Sequence, residues 1–357
     1  MEFELLNAEL QKIGHSSNRF SDYYTQSRRS AETQEDRRRA VLRDLRLQKR
    51  DALLVSRYKN IFADVISDNE GAADHRDYAT KTEEETNEIQ AEHGQSSSAG
   101  HEAEDYSPNK CPKRRTEDKA PRLMLSEWLI EVPADFEDSW LMTICPEGKR
   151  CAVVANKGRT VIYSRPGKFL MDGTSDLPGG SPRNPNKQCY SVLDCILNSK
   201  DGQLYVLDVL FWNGSSLVDQ SAEFRLFWLK SRLGELDHTT LISENEELPF
   251  SCLEYVPCDK TNMEAHLQRS PSSFTVDGMM FCHKDGCYFP GTTPLVCWLK
   301  PFMIPEILGI PVPDVMMQGM PEGYRNLSEH LLALNEKNIR AKDIQRSKRR
   351  SSKPGKR

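Results

Sequence analysis

The chain of 357 residues has room for one or two domains with appended segments. Its composition is ordinary on average, with 38% hydrophobic and 28% charged residues, but the net charge of −5 is the sum of strongly basic and strongly acidic blocks. No apolar run reaches the roughly 18 residues that suggest a membrane span, and the acidic N-terminus MEFELLNAEL lacks the apolar core of a secretory signal. We therefore expect a soluble intracellular protein without membrane insertion.

The ten cysteines show no framework spacing and no Cys-x-x-Cys pair. This scatter favours free thiols in a reducing compartment. A zinc site at Cys282, His283 and Cys287 is the alternative, because these three residues form the tightest cluster of possible ligands.

Residues 1–14 carry a one-sided apolar stripe. Phe3, Leu6, Leu10 and Ile13 recur at spacings of three and four, which is typical of an amphipathic helix. The stripe indicates either an ordinary short helix or a leucine-rich segment that lies in the hydrophobic groove of a partner.

A basic arm follows in residues 15–62, and it contains a helix predicted from Arg37 to Asn60. This stretch has no Gly or Pro and is rich in Arg, Leu, Ala and Gln, so a helix roughly 35 Å long is favoured. From Arg28 to Lys59 there are 11 Lys and Arg against 5 Asp and Glu. A helix that is basic on most faces should bury little against its own domain. We expect another molecule to supply its acidic surface, either nucleic acid or an acidic protein groove, with an ordinary solvated helix as the alternative.

Two further segments have lopsided charge. Residues 63–120 are predicted to form a disordered acidic linker, because residues 64–105 hold 13 Asp and Glu against 2 Lys and Arg with few large apolar side chains. Residues 335–357 form a basic tail, with 10 basic residues and one acid from Lys337 onward. The tail is predicted to be helical to about Arg350, and its role is open between a localisation signal, an RNA contact and solubility.

Nearly all apolar and β-branched residues gather in residues 121–334, which indicates one domain with a substantial core. Short apolar or alternating runs recur there and are read as strands: CAVVA, TVIYS, YSVLDCIL, LYVLDVLFW, EFRLFWL, DGMMFC and LVCWL. Turn signals separate them at Pro178-Gly179-Gly180, Asp201-Gly202, Asn213-Gly214 and Pro290-Gly291. The predicted fold class is α+β, with a mainly antiparallel β domain preceded by the long basic helix and the linker.

The order of motifs in this domain resembles the nucleotidyltransferase fold of mRNA capping enzymes and ATP-dependent ligases. The motifs are Cys145-Pro146-Glu147-Gly148-Lys149-Arg150, Val276-Asp277-Gly278-Met279-Met280-Phe281 and Cys297-Trp298-Leu299-Lys300-Pro301. In those enzymes a lysine attacks the α-phosphate of the nucleotide and carboxylates hold a metal. Here Cys145 stands at the lysine position, and Leu193-Asp194-Cys195-Ile196 stands where the resemblance implies Leu-Asp-Gly-Glu. The resemblance therefore implies a nucleotide pocket without the chemistry, no enzyme activity and no cofactor.

A finer resemblance, from about Leu123 to Pro313, is to the snurportin family of nuclear-import adapters. It is carried by Leu123-Met124-Leu125-Ser126-Glu127-Trp128-Leu129-Ile130, Leu177-Pro178-Gly179-Gly180 and Pro290-Gly291-Thr292-Thr293-Pro294-Leu295-Val296. The resemblance implies a domain in residues 121–334 that binds the 2,2,7-trimethylguanosine cap of spliceosomal U snRNAs. It also implies that the adapter links U snRNPs to importin-beta, is recycled by an exportin, and shuttles between nucleus and cytoplasm.

The resemblance assigns roles to individual residues. Trp298 is the implied stacking platform for the cationic base, Trp128 with Ser126 the wall beside the dimethylated N2, and Cys145 a lining residue. Lys149, Arg150 and Arg165 are the implied phosphate contacts, with Arg165 at a position where the family has lysine. Trp140, Trp212 and Trp228 are assigned to the core.

The importin-beta contacts that the resemblance implies are basic residues of the arm: Arg28, Arg29, Arg37, Arg38, Arg39, Arg43, Arg46, Lys49 and Arg50. The implied exportin contacts are Met1, Leu6, Leu10 and Ile13. Two alternative functions stay open from the residues: an active capping-type nucleotidyltransferase, and an RNA-binding protein without cap preference.

Overall fold

A computed structural model describes the chain in residues 33–67, 120–183, 189–200, 202–236, 240–243, 247–269 and 273–351. Three predicted features lie outside the described residues: the N-terminal stripe, the contacts Arg28 and Arg29, and linker residues 68–119. Described residues up to Arg46 belong to one compact unit with those from Lys119 onward, and Leu47 begins a second unit. None of the described helices has the length and apolar character needed to cross a bilayer.

Six α-helices lie in the described residues: α1 (Gln34–Ser67), α2 (Phe136–Ser139), α3 (Ala222–Gly234), α4 (Lys260–Gln268), α5 (Ile304–Leu308) and α6 (Leu327–Ser351). Two short 3₁₀ helices span Pro301–Met303 and Asp314–Gly319. The predicted basic helix is confirmed as α1, and the predicted helical start of the tail is confirmed as part of α6.

The strands form two sheets. A five-stranded sheet has the order β1-β13-β12-β2-β11, and an eight-stranded sheet has the order β5-β4-β3-β6-β7-β10-β9 with β8 paired to β7. Only the pairs β1–β13 and β7–β10 are parallel among the described ladders, so the prediction of a mainly antiparallel α+β domain is confirmed. The strands are β1 (Met124–Trp128), β2 (Trp140–Pro146), β3 (Lys149–Asn156), β4 (Arg159–Ser164), β5 (Phe169–Gly173), β6 (Tyr190–Asn198), β7 (Gln203–Trp212), β8 (Ser215–Ser216), β9 (Thr240–Ile242), β10 (Glu247–Cys252), β11 (Tyr255–Pro257), β12 (Val276–His283) and β13 (Gly291–Leu299).

The central strands β6 and β7 of the eight-stranded sheet are buried on both faces, which explains why they read as continuous apolar runs. In β7, Tyr205 and Leu207 join a core cluster that also contains residues of the five-stranded sheet. Their neighbours Leu204 and Val206 join a second cluster on the other face, which includes Leu229 of α3. Successive side chains of a strand point to opposite faces, so a strand covered on both sides needs apolar residues at every position.

One predicted strand is a helix: the run EFRLFWL forms α3. The hydroxyl of Ser221 caps the helix by accepting from the amide of Phe224 at 3.4 Å, and Ala222, Arg225 and Leu229 are its buried residues. Their spacings of three and four are helical, so the strand interpretation was wrong. Two of its three aromatic residues are exposed, Phe224 at 41% and Phe227 at 69%, while Trp228 is half-buried against the second core cluster.

Tight turns lie where the sequence placed them. Asn213 and Gly214 both have positive φ, 51° and 81°, between β7 and β8. This is the conformation that favours Asn-Gly in two-residue hairpins. Gly179 has φ 89°, and a Cβ there would lie 2.3 Å from the carbonyl oxygen of Cys189, so the turn requires glycine.

Candidate functional site

Two of the predicted cap-contacting residues, the stacking platform and the N2 wall, lie side by side. The parallel ladder between β1 and β13 pairs Trp128 with Trp298, and paired residues of adjacent strands share a face of the sheet. Trp298 lies against the backbone of Gly278 on β12, where an added Cβ would come within 2.4 Å of indole Cζ2. Gly278 is in turn paired with Cys145 on β2. The sheet thus brings Trp128, Trp298 and the neighbourhood of Cys145 together from three distant parts of the chain.

Both indoles are buried, with 1% of Trp128 and none of Trp298 exposed. His330 on α6 packs edge-on against Trp128, at 6.4 Å between ring centroids, and Phe302 and Tyr324 pack against the same imidazole. Burial, followed by the positive charges of Lys337 and Lys300, lowers the pKa of His330. A planar ligand therefore reaches these indoles only if a covering group moves.

Ser126 and Cys145 supply neutral groups to this region. The Ser126 hydroxyl is buried and makes no hydrogen bond to any residue that the structure describes. Cys145 has no exposed surface, and burial, reinforced by the charge of Asp277, raises the pKa of its thiol. Cys145 is therefore a neutral thiol at physiological pH and a poor nucleophile.

Arg150 is engaged within the protein. Its Nε and Nη2 donate to the two carboxylate oxygens of Asp194 at 2.8 and 2.5 Å, and the Tyr288 hydroxyl donates to the same carboxylate at 2.7 Å. Asp194 has no exposed surface and Arg150 only 8%. A fully buried carboxylate needs such partners, so Arg150 balances a charge of the core in this arrangement. Its role as a phosphate contact stays a prediction.

The three predicted phosphate contacts do not form one cluster of side chains. Lys149 and Arg150 are successive residues of β3, and successive side chains of a strand point to opposite faces. Arg165 follows β4, and its amide donates to the carbonyl of Arg150 at 3.2 Å. The backbone thus brings Arg150 and Arg165 close together, while Lys149 belongs to the other face of the sheet.

A second buried ion pair was missed by the sequence analysis. Arg225 of α3 forms two hydrogen bonds with Asp208 of β7, at 2.9 and 2.8 Å, and donates to the carbonyl of Gly286 at 2.9 Å. Arg225, Asp208 and Arg150 line a cavity together with apolar residues of the five-stranded sheet. Nothing in the sequence marks Arg225 as buried except its helical spacing from Ala222 and Leu229.

Lys300 and Asp277 were quoted in the motifs but given no role. The Lys300 ammonium donates to the Asp277 carboxylate at 2.6 Å, and only 14% and 2% of their side chains are exposed. Lys300 lies two residues after Trp298, and Asp277 precedes Gly278. The ion pair therefore fixes the ends of β12 and β13 next to Trp298. Each motif supplies one partner, so the pair could be predicted only from both motifs together.

The predicted importin-beta contacts of α1 divide into two groups. Arg37 and Arg38 contact the domain: Arg37 pairs with Glu127 of β1, and Arg38 is only 2% exposed. The expectation that this helix buries little against its own domain is wrong for its first turns only, because Glu127 and backbone carbonyls of the domain supply the oxygen partners that Arg37 and Arg38 need. The other predicted contacts that the structure describes are exposed: Arg39, Arg43, Arg46, Lys49 and Arg50.

The zinc alternative has no support in the described residues. No group of three or more His, Cys, Asp or Glu side chains within them is placed to hold a metal ion. The Cys287 thiol donates to the carbonyl of Asp219 at 3.3 Å, and the His283 imidazole lies 3.4 Å from the carboxylate of Asp135. Neither Cys282 nor Cys287 forms a disulfide bond with another described cysteine.

Residues 122–301, about half of the chain, match the family model described as "Snurportin1, m3G cap-binding domain". The span begins just before β1 and ends just after β13, so it contains both sheets and both tryptophans of the candidate site, Trp128 and Trp298. A match of this extent shows the class: a domain of the m3G cap-binding type. The chain belongs to the snurportin family.

Solved structures with a similar arrangement include DNA ligases. The ligase domain of M. tuberculosis LigD is 16% identical with a TM-score of 0.35, and the match covers 52% of this chain and 60% of that one. Chlorella virus DNA ligase-adenylate is 15% identical with a TM-score of 0.32, covering 51% of this chain and 69% of that one. The chain thus spans about three fifths of the length of the mycobacterial ligase domain. Identities and TM-scores this low say nothing about the activity of this chain.

Proposed function

We propose that the domain formed by the two sheets binds the 2,2,7-trimethylguanosine cap of U snRNAs, and that the whole chain is a nuclear-import adapter for U snRNPs. The observation that carries the proposal is the pairing of Trp128 with Trp298 inside a domain of the snurportin family. A methylated guanine is cationic because of its N7 methyl. An indole attracts such a ring by stacking and cation–π terms, worth about 0.5–2 kcal/mol for each contact.

Discrimination against other caps rests on neutral groups in the proposed site. The N2 of the trimethylated base carries two methyls and cannot donate a hydrogen bond. Trp128, Ser126 and Cys145 offer apolar surface or uncharged groups there, whereas a carboxylate waiting for a donor would lose about 1–3 kcal/mol when left unpaired. The site therefore tolerates the methyls that a carboxylate would reject.

We further propose that the chain is an adapter and not an enzyme. The nucleophilic lysine of the nucleotidyltransferase motif is replaced by Cys145, whose raised thiol pKa makes it a poor nucleophile. The carboxylate of Asp194, in the second motif, already accepts hydrogen bonds from Arg150 and Tyr288. Incubation with labelled GTP or ATP and a divalent metal tests this directly, because a covalent adduct would identify an active nucleotidyltransferase.

The carrier partners of the adapter belong to the proposal as well. The arginine-rich α1 is proposed to bind the acidic concave face of importin-beta, an electrostatic contact that weakens with salt. The N-terminal leucine stripe is proposed to bind an exportin for recycling, which gives a protein that shuttles between nucleus and cytoplasm.

The proposal is tested by titrating the protein with trimethylated cap dinucleotide, its monomethylated analogue and GTP while following tryptophan fluorescence. The trimethylated ligand should bind tightest. Trp298→Phe should weaken it by about 5-fold, since phenylalanine is a poorer cation–π partner. Trp212→Phe, a matched change at a buried tryptophan of the second core cluster, should leave affinity unchanged. Equal affinity for GTP and the trimethylated cap would refute the proposal, and thermal melts exclude unfolding of either variant.

A further inference from the structure

Helix α6 begins at the tryptophan pair of the candidate site. Leu327 and Leu331 are buried in the core cluster that holds Trp128 and Trp298, and the His330 imidazole lies edge-on to Trp128 at 6.4 Å between ring centroids. These contacts fix where the helix leaves the domain. The part of α6 that follows them therefore starts next to the two indoles.

The rest of α6 is basic. Residues 337–351, which we call the basic segment, hold seven Lys and Arg against one Asp within a helix that continues to Ser351. At 1.5 Å per residue they lie roughly 10 to 30 Å along the helix from His330. Lys337 and Arg340 are exposed. Burial, followed by the charge of Lys337, lowers the pKa of His330, so Lys337 is within electrostatic range of the imidazole that contacts Trp128.

The cations of this region differ in how readily they can meet a ligand. Lys300 is held by Asp277 at 2.6 Å, and both side chains are largely buried. Arg340 has a partner too, Glu336 at 3.6 Å, but 77% and 69% of these two side chains are exposed. An exposed pair of this kind contributes little to stability, so another anion can replace the carboxylate at low cost. The basic segment is therefore open to a negatively charged ligand and begins beside the proposed cap site.

We propose that the basic segment of α6 binds the phosphates of the nucleotides that follow the cap; this rests on the proposed cap-binding function. The indoles then recognise the methylated base, while α6 adds affinity for the RNA backbone without reading its sequence. Each Lys or Arg that neutralises a phosphate of single-stranded RNA releases counterions, and it contributes about 0.7 to the slope of log affinity against log salt concentration. At about 0.1 M salt, this slope corresponds to about fivefold in affinity for each contact.

A protein is the alternative partner for this helix, because Leu332 and Ile339 are 65% and 44% exposed. A helix that docks in an apolar groove repeats apolar residues at spacings of three and four. The positions three and four residues after Leu332 are polar, Asn335 and Glu336, so the two apolar residues are not joined into one stripe. The excess of positive charge and its start at the tryptophan pair favour RNA.

The test compares two ligands, the trimethylated cap dinucleotide and a trimethyl-capped single-stranded RNA of about eight nucleotides. The readout is the ratio of the affinity for the RNA to the affinity for the dinucleotide, measured by tryptophan fluorescence at several salt concentrations. The wild type should bind the RNA more tightly, and this preference should fade as the salt concentration rises. Lys337→Gln combined with Arg340→Gln should lower the ratio about 25-fold at about 0.1 M salt and reduce the salt slope by about 1.4. Glutamine is a good helix former, so the helix itself is retained.

The matched control removes two exposed positive charges at the ends of α4, by Lys260→Gln combined with Arg269→Gln. Helix α4 packs against β11, at the edge of the five-stranded sheet opposite to β1, so this variant should keep the wild-type ratio. Equal affinity of the wild type for both ligands would overturn the proposal, and so would a ratio that falls equally in the control. An unchanged ratio in the α6 variant would also overturn it and would leave the helix to a protein partner. Failure of the wild type to bind the dinucleotide would refute the cap-binding function, and the proposal with it.

Discussion

Gly278 shows how one missing side chain shapes the candidate site. It lies on β12 between Cys145 of β2 and the indole of Trp298, and the space that a Cβ would need is taken by indole Cζ2 at 2.4 Å and the Leu299 carbonyl at 2.7 Å. A contact below about 3 Å forces atoms to shift, and the indole is rigid and buried on its other side. Glycine here is a packing requirement of the tryptophan.

We predict that Gly278→Ala displaces Trp298. The expected result is a changed near-ultraviolet circular dichroism spectrum, a stability loss of about 1–3 kcal/mol from overpacking, and weaker binding of the trimethylated cap analogue. Gly234→Ala at the end of α3 is the matched control, since nothing lies within 4 Å of its added methyl. An unchanged tryptophan spectrum in Gly278→Ala, measured beside that control, would contradict the packing argument.

At the scale of elements, α6 links the basic tail to the tryptophan pair. Leu327 and Leu331 are buried in the core cluster that holds Trp128 and Trp298, and His330 between them contacts Trp128 directly. Further along the helix Lys337 and Arg340 are exposed, and so are Ile339 and Ile344. The helix therefore begins as a core element and continues as a charged extension.

This packing predicts a pH dependence through His330. Its pKa in the folded protein is lowered by burial, Lys337 and Lys300, while an unfolded histidine titrates near 6.5. The unfolded state therefore binds the proton more readily, so the contribution of His330 to stability is present above about pH 6.5 and is lost as the pH falls. Urea unfolding at pH 7.5 and 5.5 should show a smaller loss for His330→Gln than for the wild type.

Burial also lowers the pKa of His266 and His283, so part of the wild-type loss on acidification belongs to them. The difference between the losses of the wild type and of His330→Gln measures the contribution of His330 to the pH dependence of stability, because His266 and His283 are present in both proteins. Identical losses in the wild type and His330→Gln would remove His330 as a contributor.

For the whole molecule, the proposed cargo and carrier functions are assigned to different elements. The candidate cap residues belong to β1, β2, β3 and β13 and to the residue after β4, whereas the exposed arginines lie on α1. We therefore expect the protein, importin-beta and a trimethyl-capped oligonucleotide to form a complex with one copy of each in analytical ultracentrifugation. The same oligonucleotide with a 5′-triphosphate is the control and should stay outside the complex. Displacement of importin-beta by the capped RNA would contradict the separation of the two functions.

The local features of the chain were set by the sequence. The helix α1 follows from a long run of helix formers without Gly or Pro, and the Asn213-Gly214 hairpin follows from residues that adopt positive φ. The order of motifs placed the domain in its family, and residues 122–301 match that family's model. These features depend on residues within a few positions of one another or on the order of motifs along the chain, so they can be predicted without knowing the tertiary structure.

The other features of the fold and of the candidate site depend on contacts between residues far apart in the sequence. The sequence alone misread α3 because its apolar residues fit a strand as well as a helix until the core shows which face is buried. The sequence could not show that Asp194 forms an ion pair with Arg150 or that Trp128 lies beside Trp298. Nor could it show that Arg37 binds Glu127 and that Arg38 binds the carbonyl of Pro294. Each of these pairs joins residues 44 or more positions apart, and the partner of a buried charge or ring is fixed only when the tertiary structure brings the two together.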